Sequence, residues 1–161
     1  MRIRLDSGDP GARINRALAH IHKGEPEKAI PDLNVAIQLD PTIWLGWSTR
    51  CYAEGILGQL PAAIADCDRA VQLEPNEPSP FANRGAAYLR SQNYARALAD
   101  YDAAIKLFAT KKREHASESW YGRGIAYSRL GKRDLAERDF RQAAALDPGI
   151  EAKMSKIGLA R

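Results

Sequence analysis

An arginine followed sixteen residues later by an aspartate occurs four times in this chain: Arg16/Asp32, Arg50/Asp66, Arg84/Asp100 and Arg123/Asp139. The first three pairs step by 34 residues and the fourth by 39, so the chain is an internal repeat with one five-residue insertion. A period of this length is the mark of helical hairpins that stack because none can bury its apolar face alone. Other columns keep the same period. Alanine recurs at Ala29, Ala63, Ala97 and Ala136, and again at Ala36, Ala70, Ala104 and Ala143. Leucine recurs at Leu39, Leu73, Leu107 and Leu146. A turn glycine recurs at Gly24, Gly58 and Gly131, with Gln92 as the exception. Acid-proline closes three units at Asp40-Pro41, Glu74-Pro75 and Asp147-Pro148. The third unit lacks it and carries the insertion, Phe108 to Arg113, as a lengthened loop or lengthened helix ends.

Each unit holds two amphipathic stretches. In the second unit Trp47, Cys51 and Glu54 follow helical spacing, as do Ala63, Cys67 and Ala70. Gly58 ends one stretch, and Pro61 suits the first turn of the next. The third unit repeats this with Phe81, Gly85 and Tyr88, then Ala97, Tyr101 and Ala104. The fourth has Trp120, Gly124 and Tyr127, then Ala136, Phe140 and Ala143. Small residues at Ala17, Cys51, Gly85 and Gly124 face the alanine columns and let two backbones approach. From Gly149 to Arg161, Ile150, Met154 and Ile157 share one face, which predicts a single amphipathic helix covering the last hairpin.

The run Trp120-Tyr-Gly-Arg-Gly-Ile-Ala-Tyr127, followed by Leu130-Gly131, Ala136, Phe140, Ala143 and Pro148, resembles the tetratricopeptide repeat family. The resemblance covers about Pro10 to Pro148 in four in-register copies. The first copy departs most, with Arg13 in place of an aromatic and His20 in place of tyrosine. It implies an all-α, right-handed α-α superhelix (solenoid) of stacked antiparallel helical hairpins. One domain, 1–161, is expected, with repeats at 10–41, 44–75, 78–109 and 117–148 and a covering helix at 149–161.

Composition narrows the function class. At 161 residues, 45% hydrophobic and 27% charged, the chain has the make-up of a soluble globular domain. No apolar run is long enough to span a bilayer, and the first residues lack a signal-peptide core, so such a peptide is absent or already removed; a cytoplasmic location is the expectation. The net charge of +4 is mixed along the chain, so neither nucleic acid nor a membrane is the expected partner. The two cysteines, Cys51 and Cys67, lie equidistant from Gln59. Packed helix axes sit about 8–10 Å apart, whereas a disulfide wants Cα atoms within about 7 Å. We therefore read both as small core residues, with a bridge as the alternative and a reducing compartment as the consequence.

Each arginine–aspartate pair is symmetric about its turn. At about 1.5 Å rise per residue both members stand about 12 Å from it. We expect partly buried, charge-assisted pairs within or between hairpins, with a ligand-binding role for the arginines as the alternative. No catalytic residue, cofactor or metal is predicted. His20 and His22 point to different sides of a helix, His115 is alone, and Gly122 and Gly124 lie inside a helix and not in a phosphate-binding loop. Lys106 with Lys111, Lys112 and Arg113 forms a small basic run, read as a solvated loop or a contact for an acidic partner.

The resemblance further implies that the first helices of the hairpins line a groove holding an extended peptide or partner helix. The residues it places there are Ile14, Asn15, Leu18 and His22; Ser48, Thr49, Tyr52 and Ile56; Asn83, Ala86 and Arg90; and Tyr121, Ile125 and Arg129. Asn15 and Asn83 suit a peptide backbone, and Arg90 and Arg129 a carboxylate. A subgroup of the family grips the C-terminal carboxylate of heat-shock proteins with lysines, asparagines and an arginine. Laid over the first units, that pattern falls on Ile14, Leu18, Thr49, Ser79 and Asn83, so a clamp of that type is not expected. The expected function is a protein-binding adaptor. A self-assembling scaffold (a homo-oligomer) and a regulatory domain of a larger enzyme are the alternatives.

Overall fold

The computed structural model describes residues 8–111 and 116–161. The described residues form nine α-helices and no strand. Their contacts divide into two compact units, Met1–Pro75 and Asn76–Arg161.

The first unit is two antiparallel hairpins: α1 (Pro10–His22) with α2 (Pro26–Leu39), and α3 (Trp44–Ile56) with α4 (Leu60–Leu73). The hairpins stack through contacts of α3 with both α1 and α2. Asp9 caps α1 by accepting the Gly11 N–H at 2.8 Å, and Pro10, Pro26 and Pro61 occupy first turns, where no N–H is needed. Ile14, Ala17, Ile21, Ala29, Leu33, Ala36 and Ala53 form the core, with Leu18, Tyr52 and Ile56 packed half-buried against it.

The second unit repeats the plan with α5 (Pro78–Arg90) and α6 (Tyr94–Thr110), then α7 (Ser117–Arg129) and α8 (Arg133–Leu146). A short helix, α9 (Ile150–Lys156), packs on α7 and α8 through buried Ile150 and Met154. It is shorter than the 149–161 segment predicts, because Gly158 turns the chain at φ +77°. Part of the insertion is added helix: α6 has 17 residues, whereas α2, α4 and α8 have 14. The remainder, with Lys112, Arg113 and His115, lies outside the described residues. Lys111, also of the basic run, is ion-paired with Glu77.

The repeat columns explain how tightly the helices approach. Ala29, Ala36, Ala63, Ala70, Ala97, Ala104, Ala136 and Ala143 are at most 2% exposed. Opposite them, a small residue on the first helix faces a larger one on the second. A Cβ on Gly85 would stand 3.2 Å from the Tyr101 ring, and one on Gly124 would stand 2.8 Å from Phe140. Cys51 and Cys67 occupy this same pair of columns, and here the structure overturns the expectation of two free core cysteines. They form a disulfide with Cα atoms 5.5 Å apart. The bridging limit applies between Cα atoms and not between helix axes. Cα atoms sit about 2.3 Å off each axis, so facing positions on axes about 8–10 Å apart come within bridging range. The bridge also removes the argument for a reducing compartment.

Candidate functional site

The first helices are held in place by the arginine–aspartate ladder. In every hairpin the guanidinium forks onto the aspartate sixteen residues later. Arg50 donates to Asp66 at 2.5 and 2.9 Å, Arg84 to Asp100 at 2.8 and 2.7 Å, and Arg123 to Asp139 at 2.6 and 3.1 Å. Arg16 pairs with Asp32 in the same way. The four carboxylates are buried, Asp139 completely. Bonding to Arg16 holds the Asp32 carboxyl below its ordinary range.

The outer face of each guanidinium rests near the aromatic ring three residues earlier. Arg50 lies 5.2 Å from Trp47, Arg84 lies 5.6 Å from Phe81, and Arg123 lies 4.5 Å from Trp120. In the first hairpin, Arg13 takes the aromatic position and donates a further bond to Asp32 at 3.3 Å. Two rungs also join neighbouring hairpins: Arg50 donates to Asn34 at 2.8 Å, and Arg123 to Asp102 at 2.5 Å. The ladder is structural: Arg50, Arg84 and Arg123 are largely enclosed between their aspartate and their aromatic ring, and Arg16, more exposed, is tied to buried Asp32.

In the first unit this scaffold presents Asn15 and His22, both exposed, beside half-buried Leu18, Tyr52 and Ile56. Thr49 does not join them. It is 3% exposed, and Ile14 and Ser48, expected on the same face, are 2% exposed. Thr49 shares its column with Gly122, where an added Cβ would overlap the Tyr101 ring of the preceding hairpin. At Gly122 that position therefore faces the preceding hairpin and not a groove, whereas Asn15, at the same position of the first hairpin, is exposed.

In the second unit Asn83 and Arg90 are half-buried and Arg129 is exposed. Tyr121 and Ile125 are buried at 1% and 3%. The Tyr121 ring lies 5.1 Å from Phe140, inside the hairpin. Ile125 forms part of a cleft wall with Leu89, Arg90, Arg129 and Leu159. Arg90 donates to the Ile157 carbonyl at 2.7 Å, so the residues after α9 lie against this face.

One buried group escaped the sequence reading. Glu54 stands in the column that holds Tyr88 and Tyr127, and it is 8% exposed. Its Oε1 lies 4.0 Å from Arg50 Nε, a guanidinium already engaged by Asp66. Burial, reinforced by the Asp66 charge, pushes the Glu54 carboxyl up to about 7. A carboxylate in a column otherwise filled by His20, Tyr88 and Tyr127 is the signal that marks it. Among the described residues no group of three or more His, Cys, Asp or Glu side chains is placed to hold a metal, and no helix is long and apolar enough to cross a membrane.

The tetratricopeptide repeat family matches residues 10–43 and 117–150, which contain the first and last hairpins. Protein bimA of Emericella nidulans is 37% identical over 68 residues, which are 42% of this chain and 8% of that protein. A thermophilic TPR protein of Thermus thermophilus superposes with a TM-score of 0.79 at 18% identity, covering 93% of this chain and 81% of that one. MamA of Desulfovibrio magneticus RS-1 gives 0.70 at 15% identity over 88% and 77%. At these identities the structural likeness is one of fold. With its hairpins built on the family's period and its first and last copies matched directly, the chain belongs to the tetratricopeptide repeat family.

Proposed function

We propose that the protein is a binding module whose first-helix faces take up an extended or helical segment of another protein. The family's fold supports a protein–protein interaction or scaffold role in general. The observation that carries the finer reading is the surface of the first unit. There Leu18, Tyr52 and Ile56 are half-buried against the core, with exposed Asn15 and His22 beside them. An apolar strip flanked by amide and imidazole groups suits a side-chain anchor with a hydrogen-bonded backbone next to it.

The reading is tested by paired variants in affinity capture. Leu18→Ser with Ile56→Ser should abolish capture of a specific protein partner, and Leu39→Ser on α2 should leave it unchanged. Circular dichroism of both variants must show retained helix. Capture lost with Leu39→Ser and kept with the pair would move the interface to the second helices.

A further inference from the structure

The second unit carries an occupant of its own. Each hairpin's first helix has 13 residues and ends in a left-handed turn: Gly24 at φ +78°, Gly58 at +78°, Gln92 at +61° and Gly131 at +73°. The following N–H then bonds back five residues, as in Gln59 N–H to the Glu54 carbonyl at 2.9 Å and Lys132 N–H to the Tyr127 carbonyl at 2.9 Å. Helix α9 ends on the same device, with Gly158 at φ +77° and Leu159 N–H bonded to the Met154 carbonyl at 2.9 Å. It does so after only 7 residues. The missing six residues correspond to about 9 Å of helix, and the early turn delivers Leu159 onto the face of its own unit.

Leu159 is 4% exposed and shares a cleft with Leu89 and Ile125, both buried. Arg90 fixes the approach by bonding the Ile157 carbonyl at 2.7 Å. Beside this segment the cleft keeps a volume of about 500 Å³, and Arg129 stands at its edge, exposed and with no ion pair among the described residues. The occupant is poorly matched to this rim. Ile157–Ala160 contains no acidic residue to meet Arg129, and the neighbouring Lys153 and Arg161 are paired with Asp147 and Glu151, outside the cleft lining. Gly158 and Ala160 are exposed, so the segment meets the face itself through the Leu159 side chain and the Ile157 carbonyl, its other bonds being to Met154, Ser155 and, through Arg161, Glu151.

We propose that Ile157–Ala160 is a built-in competitor on the second unit, and that the partner of this face is an acidic protein segment that displaces it. This rests on the reading that first-helix faces bind protein segments. The partner sets a leucine-sized side chain in place of Leu159, a main-chain carbonyl on Arg90 and a carboxylate on Arg129. The competitor lowers apparent affinity by the fraction of time it leaves the face open, so removing its leucine raises affinity without adding any contact.

The probe is a synthetic peptide of residues 153–161 with Lys153, Lys156 and Arg161 replaced by glutamate, followed by fluorescence anisotropy at low salt. The full chain is compared with Leu159→Asp, and with Leu159→Ala as the milder change should the first fail to fold. The variant is expected to bind the peptide about tenfold more tightly than the full chain. Adding Arg129→Glu should cost about fivefold or more of that affinity. Equal binding by the full chain and a folded variant would overturn the proposal, as would absence of binding to either. If partner capture still depends on Leu18 and Ile56 in that case, the broader reading survives and this one alone fails.

Discussion

Replacing Glu54 by glutamine should make the first unit more stable at pH 8 and leave it unchanged near pH 4.5. The carboxyl is 8% exposed, and its Oε2 is buried with no hydrogen-bond partner among the described residues. Its nearest cation, Arg50, is engaged by Asp66 at 2.5 and 2.9 Å. Burial therefore dominates, and ionisation moves from the 4.5 of a free glutamate to about 7.

A carboxyl whose folded value is raised favours the fold while both states are protonated. The advantage is full below about 4.5 and lost as pH rises through about 7. At about 1.4 kcal/mol for each pH unit between those values, wild type loses about 3 kcal/mol across the window. Glutamine resembles the protonated form and loses nothing. The assay is urea denaturation followed by tryptophan fluorescence in a Trp120→Phe background, where only Trp44 and Trp47 of the first unit report. The difference between Glu54→Gln and wild type should grow from near zero at pH 4.5 to about 3 kcal/mol at pH 8. A difference independent of pH, or a glutamine variant less stable at pH 8, would refute the reasoning.

Three further outcomes follow from the packing. Arg84→Ala should cost about 3–5 kcal/mol, and Arg84→Ala with Asp100→Ala should cost clearly less than the sum of the singles in denaturant titrations. Gln92 adopts φ +61°, where its three counterpart turns carry glycine, so Gln92→Gly should raise the denaturant midpoint by the equivalent of about 1 kcal/mol. Thiol titration of the denatured protein should find no free thiol before reduction and both cysteines after it, with reduction lowering stability by about 3 kcal/mol for a loop of this size.

The hairpins were legible because period, turn and column reinforce one another. An alanine column in every copy leaves one solution for helix approach, and Gly24, Gly58 and Gly131 punctuate it where a positive φ is required. The ladder was legible for the same reason, since sixteen residues place Arg and Asp at one height across each turn. The bridge was missed although it lay in the strongest pattern, the small-against-large columns that pair Gly85 with Tyr101 and Gly124 with Phe140.

The candidate surface was less legible. Helical spacing places Thr49 and Tyr121 beside Asn15 and Leu18, but it does not say which side a neighbouring hairpin covers. The segment after α9 was opaque for a different reason: its position depends on where a short helix stops, and only Gly158 marks that point. The covering of Ile125 and the bond from Arg90 follow from that single turn.

The central claim is that the first helices carry the binding surface. Amide hydrogen exchange of the full chain, with and without a captured protein partner, tests it directly. Protection should appear on α1 and α3 around Leu18, Tyr52 and Ile56, with α2 and α4 unchanged. Protection confined to α2 and α4, with α1 and α3 exchanging as in the free protein, would contradict it.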